Sequence, residues 1–146
     1  MSKHFEIVIF TAALKEYADW ILDTIDSFHL ISHRLYRQHT TPHQDYAIKD
    51  LAKLGRPMNK LLLVDNLAEN YVHTTPCNGI TIPSWYEDMD DTALELLGSF
   101  LKQLAVEKYD VRKVLKKEVR EYLYECMETG EFMANVEEIV DWFNNK

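Results

Sequence analysis

The sequence predicts an α/β fold with a mostly parallel sheet, and three features carry that expectation. Short apolar runs recur at Phe5–Thr11, rich in aromatic and β-branched residues, and at Lys60–Asp65 and Gly79–Pro83. Longer stretches with apolar residues at helical spacing lie between and after them. The first two runs are apolar at nearly every position, as strands of parallel sheets are when helices cover both faces.

Taken in order, Phe5-Glu-Ile-Val-Ile-Phe-Thr11 reads as a strand buried on both faces. A helix is expected from Leu14 to Ile25, where Leu14, Tyr17, Ile21 and Ile25 fall on one face. Leu35–Arg37 is a short strand, followed by a polar loop from Gln38 to Asp45. Ile48–Leu54 forms a short helix closed by Gly55, where glycine easily takes a left-handed cap. Lys60–Asp65 is a second buried strand, ending on a carboxylate, and Gly79–Pro83 a third, stopped by its proline. Helices follow at Asp91–Leu104, with Leu94, Leu97, Leu101 and Leu104 in phase, and at Val111–Tyr124, with Val111, Leu115, Val119 and Tyr122. Gly130 separates these from a last helix, Ala134–Phe143. In parallel α/β sheets ligands gather at the carboxyl ends of strands, and Thr11 and Asp65 both stand at such ends.

Composition narrows the function. The chain's 146 residues, 47% hydrophobic, are enough for one domain with a real core. A net charge of −8 argues against nucleic acid held by phosphate contacts, yet a local cationic site on such a protein still admits a phosphopeptide. Cys77 and Cys126 match no CxxC pattern, and the start shows no secretory or transit character, so a reducing compartment, cytosol or nucleus, is expected. The longest apolar runs fall far below the ~20 residues of a membrane helix. A mitochondrial or membrane-associated address would need a segment ahead of Met1. His39-x3-His43 and His73-x3-Cys77 read as solvated loop residues, and the basic run Lys108, Arg112, Lys113, Lys116, Lys117 and Arg120 as a solvated helix face. The aromatic set Tyr122, Tyr124, Phe132, Trp142 and Phe143 reads as a packing helix or a partner-binding one.

Three segments, in order and spacing, carry a resemblance. They are Phe-Thr-Ala-Ala-Leu-Lys-Glu-Tyr-Ala-Asp at residues 10 to 19, Arg34-Leu-Tyr-Arg37 through Ile48-Lys-Asp-Leu-Ala-Lys-Leu-Gly-Arg56, and Leu63-Val-Asp-Asn66 followed by Asn78-Gly-Ile-Thr-Ile-Pro-Ser-Trp85 and Asp90-Asp91. From about Phe5 to Leu115 the chain resembles FCP/SCP-type phosphatases of the haloacid-dehalogenase (HAD) superfamily: the small CTD phosphatases, the Dullard-type membrane phosphatases and a fold-sharing mitochondrial import translocase subunit. The resemblance implies a HAD-like (Rossmannoid) three-layer sandwich over residues 1–125, with 126–146 as a helical extension. It also implies Mg²⁺-dependent removal of phosphate from phosphoserine or phosphothreonine on a protein or peptide, through an aspartyl-phosphate.

Under that resemblance Thr11 supplies the hydroxyl that binds phosphoryl oxygens, and Lys49 the fixed cation beside nucleophile and phosphate. Asn66 is the metal ligand, and Asp65 its acidic neighbour, which orients the metal site. Leu14 and Tyr17 line the apolar substrate pocket. Gln44 stands where small CTD phosphatases carry a phosphate-binding arginine. The family's Asp-x-Asp-x-Thr/Val nucleophile motif has no counterpart in the ten residues before Thr11, and Asp88-Met-Asp90 lacks the leading strand. The first catalytic strand, central in the family's sheet, is therefore expected to be missing. Its neighbours close up, another polypeptide completes the sheet, or the sequence is a fragment. The isolated chain is expected to be inactive, or to be a pseudophosphatase that serves as a peptide-binding scaffold.

Overall fold

The first apolar run becomes strand β1 (Ile7–Phe10) in the computed structural model, which describes residues 1–131 and 133–145. Helix α1 (Lys15–Ile25) leads from it to strand β2 (Ile31–Leu35), which pairs with β1 in parallel. The register slips between Ile7 and Val8, which oppose Ile31 and His33, so the ladder carries an irregularity at its start. A 3₁₀ turn at Arg37–His39 then enters a hairpin of β3 (Thr41–His43) and β4 (Tyr46–Ile48). These elements belong to one unit, residues 1–50.

Four expectations change here. Every residue of β1 is half-buried rather than buried, because a two-stranded pair gives far less cover than a wide sheet packed on both faces. On α1 the buried residues are Ala18 and Leu22, which cluster with Tyr36, Ile9, Ala13 and Ile31. The face read from periodicity lies one residue away around the helix, and its Leu14, Tyr17 and Ile25 are exposed. Trp20 and Phe28 are exposed as well, so α1 carries apolar residues around much of its surface, and spacing alone does not choose between adjacent stripes. The second strand is Ile31–Leu35, earlier than expected, and the polar loop hides the β3–β4 hairpin.

The second unit, residues 51–146, opens with a 3₁₀ turn at Leu51–Leu54, shorter than the expected helix because Ile48 already ends β4. Gly55 follows with φ +63°, the left-handed geometry anticipated for it. Strands β5 (Leu63–Asp65) and β6 (Gly79–Thr81) pair in parallel, crossing over through 3₁₀ turns at Ala68–Asn70 and Pro76–Asn78. The described sheets are thus three two-stranded pairs, two of them parallel.

Among the described residues four helices complete this unit: α2 (Ala93–Val106), α3 (Val111–Val114), α4 (Lys117–Thr129) and α5 (Val136–Asn144). The single helix expected over Val111–Tyr124 is two. The Asp110 carboxylate caps α3 by accepting from the Arg112 N–H at 3.0 Å, and Lys116 then adopts extended backbone before α4 starts. Gly130 closes α4 at φ +72°, and an Asn135–Glu138 capping box opens α5. Ile80, Leu97, Phe100, Leu104, Val119, Leu123 and Ile139 lie together in the core, so the last helix packs within this unit. Tyr122, Trp142 and Phe143 meet edge-on or tilted beside it, while Phe132 lies outside the described residues. Among the described residues no helix is long and apolar enough to cross a membrane.

Gly79 lies tight against a buried ring. A Cβ built there would stand 1.8 Å from the ring of Tyr71, a fully buried side chain whose hydroxyl meets Thr81 Oγ1 at 2.7 Å. Gly79→Ala must displace that ring, and overpacking of this kind costs about 1–3 kcal/mol. Urea unfolding of the variant should show a midpoint lowered accordingly; an unchanged midpoint would mean that the ring moves freely.

Candidate functional site

In the first unit, Thr11 follows β1 and extends its pairing, since its N–H donates to the Leu35 carbonyl at 2.9 Å. The Thr11 hydroxyl accepts from the Ala13 N–H at 3.1 Å, a local turn typical of threonine at a strand end. Leu14 is the residue before α1, in extended conformation, and Tyr17 lies in its first turn. Both side chains are more than half exposed, so this end of α1 offers an apolar surface beside Thr11. Gln44 and Asp45 form the two-residue loop of the β3–β4 hairpin, and Gln44 takes φ +49° there. A left-handed glutamine is uncommon at a turn that favours glycine or asparagine, which explains why the hairpin escaped a reading by turn residues. Lys49 directly follows β4 and is buried at 8% exposure, unusual for a lysine.

The start of α1 is pinned by a polar cluster that sequence reasoning missed. Asp19 accepts from Lys15, from the Tyr36 hydroxyl at 2.5 Å and from Arg34 at 3.0 Å, and Arg34 also reaches Asp23 at 2.7 Å. Hydrogen bonds from Lys15 first, then Tyr36 and Arg34, hold the Asp19 carboxyl well below its ordinary range. The same carboxylate raises the Tyr36 hydroxyl and, by its hydrogen bond, the Lys15 ammonium. Lys15-x3-Asp19 was legible as an i,i+4 pair; the arrival of Arg34 and Tyr36 from β2 and the turn after it was not.

In the second unit, Asp65 ends β5 and is buried. Its Oδ1 accepts from the Leu67 N–H at 2.9 Å, and the Asn70 side-chain amide spans both oxygens at 3.3 and 3.2 Å. Asn66 is exposed, and its amide nitrogen donates to Ser84 Oγ at 3.0 Å. The oxygen of that amide is the atom a hard cation takes. Asp65 is thus committed to holding the turn that presents Asn66. Among the described residues no group of three or more His, Cys, Asp or Glu side chains is placed to hold a metal. Mg²⁺ keeps several waters and takes few protein ligands, so the oxygen at Asn66 fits it in kind. Asn70 and Ser84 were not anticipated; only their polarity near Asp65 and Pro83 in sequence hinted at them.

Comparison with known proteins bears on the family. The family model for NLI interacting factor-like phosphatases matches residues 1–112. The chain belongs to this family. Among curated relatives, it is 41% identical over 115 residues to a probable C-terminal domain small phosphatase of Dictyostelium discoideum, covering 79% of this chain and 37% of that protein. It is 40% identical over 121 residues to CTD small phosphatase-like protein 3 of Caenorhabditis elegans, covering 82% and 42%. With human carboxy-terminal domain RNA polymerase II polypeptide A small phosphatase 1 it shares 38% identity over 117 residues, covering 80% and 44%. The chain therefore spans less than half the length of these relatives. Their names support the phosphatase resemblance drawn from the three matched segments.

Two measurements probe the geometry on each unit. Because the folded Asp19 value is depressed, its stabilising contribution is complete above the ordinary carboxylate value of 3.8 and is lost as pH falls through the lower folded value. Acid unfolding should therefore be shallower for Asp19→Asn than for the parent below about pH 4. Asp65→Ala strips the acceptor from Leu67 and Asn70 and should lower stability by about 1–3 kcal/mol in chemical denaturation. A loss near zero would show that water replaces the carboxylate at this turn.

Proposed function

We propose that this chain carries the phosphoryl- and metal-binding portion of a serine/threonine phosphoprotein phosphatase of the small CTD class. One observation carries the reading most strongly: Thr11 and Asp65-Asn66 stand at the carboxyl ends of two parallel-paired strands, where the motifs of this family belong. Lys49 supports it, because a lysine directly after β4 and largely buried is unusual and stands where the family's motif places its fixed cation. The HAD-like three-layer sandwich and a helical extension over residues 126–146 are part of the same reading.

Thr11 donates its hydroxyl proton to a phosphoryl oxygen while its lone pair stays engaged by Ala13. Lys49 supplies fixed positive charge to the phosphate. Leu14 and Tyr17 offer apolar contact to residues flanking the phosphorylated side chain, which selects a peptide over free phosphate. On the second unit Asn66 would hold Mg²⁺, with Asp65 fixing the turn behind it, and the ion when bound would supply charge neutralisation for a phosphoryl group. An Asp-x-Asp nucleophile strand is needed from another polypeptide segment, so the 146-residue chain alone binds phosphate without turning it over. The free thiols Cys77 and Cys126 accord with a reducing compartment, cytosol or nucleus.

Titration with inorganic phosphate in Mg²⁺ tests this first. Lys49→Ala should weaken binding about 10- to 100-fold, the worth of one charged hydrogen bond, and Gln44→Arg should tighten it. Hydrolysis of an aryl phosphate should not exceed that of the Lys49→Ala control. Turnover that needs both Mg²⁺ and Lys49 would show that another carboxylate serves as nucleophile. A chain that binds no phosphate at all would favour the peptide-binding scaffold instead.

A further inference from the structure

We propose that Arg37 is a positioning residue that aims the Thr11 hydroxyl by locking the peptide plane between Ala12 and Ala13. The proposal deepens the phosphoryl-binding reading of Thr11 and rests on it for its functional consequence. Its structural half stands alone.

Arg37 begins the 3₁₀ turn after β2, alongside the β1–α1 turn that bears Thr11. Its Nε donates to the Ala12 carbonyl at 2.6 Å, and its backbone N–H donates to the Ala13 carbonyl at 3.1 Å. A peptide unit is planar and trans, so its carbonyl and its N–H point in opposite directions from one rigid plate. The plate whose carbonyl Arg37 grips is the one whose N–H, that of Ala13, donates to Thr11 Oγ1. Gripping one end therefore sets the other, and the Thr11 side chain is held by the amide it accepts from.

Two effects follow at the hydroxyl. Acceptance of the Ala13 N–H occupies one lone pair on Thr11 Oγ1 and leaves its O–H available to donate outward. The guanidinium charge also polarises the Ala12–Ala13 peptide, which makes the Ala13 N–H a stronger donor and, through it, the Thr11 O–H a better one. Because the Thr11 N–H is fixed separately by Leu35, the strand end keeps its place when Arg37 is removed. Loss of Arg37 should free the hydroxyl without unfolding the unit. The exposed guanidinium has little stability role of its own, which lets a fold effect and a positioning effect be told apart.

The experiment uses the full chain and the variants Arg37→Met, Arg37→Lys, Thr11→Val and the Arg37→Met/Thr11→Val pair. Amide exchange at Ala13 and the Thr11 χ1 couplings are read by NMR, and inorganic phosphate affinity by titration. Arg37→Met should raise Ala13 exchange roughly five- to tenfold, the worth of one hydrogen bond, and average the Thr11 χ1 couplings. It should weaken phosphate several-fold while the melting curve falls by no more than the loss of that one hydrogen bond, with Arg37→Lys in between. On the Thr11→Val background Arg37→Met should add nothing further, since the two act through one group. Unchanged Ala13 exchange and an unchanged Thr11 rotamer in Arg37→Met would overturn the proposal, as would equal phosphate loss with and without Thr11. A parent chain that binds no phosphate would sink the phosphoryl reading, while Ala13 exchange would still decide whether Arg37 holds the turn.

Discussion

Parallel pairing is the constraint from which the placement of chemistry follows. A strand can pair with a partner running the same way only if the chain leaves its carboxyl end and crosses back to the start of the partner. Both units obey this, β1 to β2 through α1 and β5 to β6 through two 3₁₀ turns. The exits fall at Thr11 and at Asp65-Asn66, so polar side chains collect where backbone groups leave the ladder and seek other partners. Each exit is then stiffened locally. Thr11 Oγ1 and Asp65 Oδ1 both accept an N–H two residues on, from Ala13 and from Leu67.

The two exits differ in how they are reinforced. At the first, reinforcement comes from residues far along the chain: Arg37 holds the Ala12 and Ala13 carbonyls, and Tyr36 and Arg34 converge on Asp19. At the second it comes from nearby, through Asn70 on the Asp65 carboxylate, and the side chain is buried. Burial makes the second arrangement the less forgiving, because an unpaired carboxylate without water is costly. The first is solvated and electrostatic, so salt and acid act on it more readily.

Much of this was legible in the sequence, and the gaps have physical reasons. Thr11 and Asp65 were readable because each ends an apolar run, a feature that depends only on local pattern. Gly55 was readable as a left-handed cap, and Gly130 as the break before the last helix, where it also takes positive φ. The β3–β4 hairpin was hidden because its turn is Gln44-Asp45 rather than a glycine pair, and Pro42 argues against a strand. The break between α3 and α4 carries neither Gly nor Pro at Leu115-Lys116, so helical spacing ran through it. The buried stripe of α1 was misplaced by one residue because Leu14, Tyr17, Trp20 and Ile25 form an apolar band as convincing as Ala18 and Leu22. Arg37 was visible in the matched segment but had no assigned task, since its partners are main-chain carbonyls, which leave no trace in side-chain pattern.

The two cysteines occupy opposite environments, and this gives the molecule a built-in reporter. Cys77 is exposed beside the β5–β6 crossover, whereas Cys126 is buried on α4 among the core residues of the second unit. A thiol-reactive dye should therefore mark the folded chain at one position. The second sulfur reacts only when that core opens, so the slow phase of labelling is a clock for its opening.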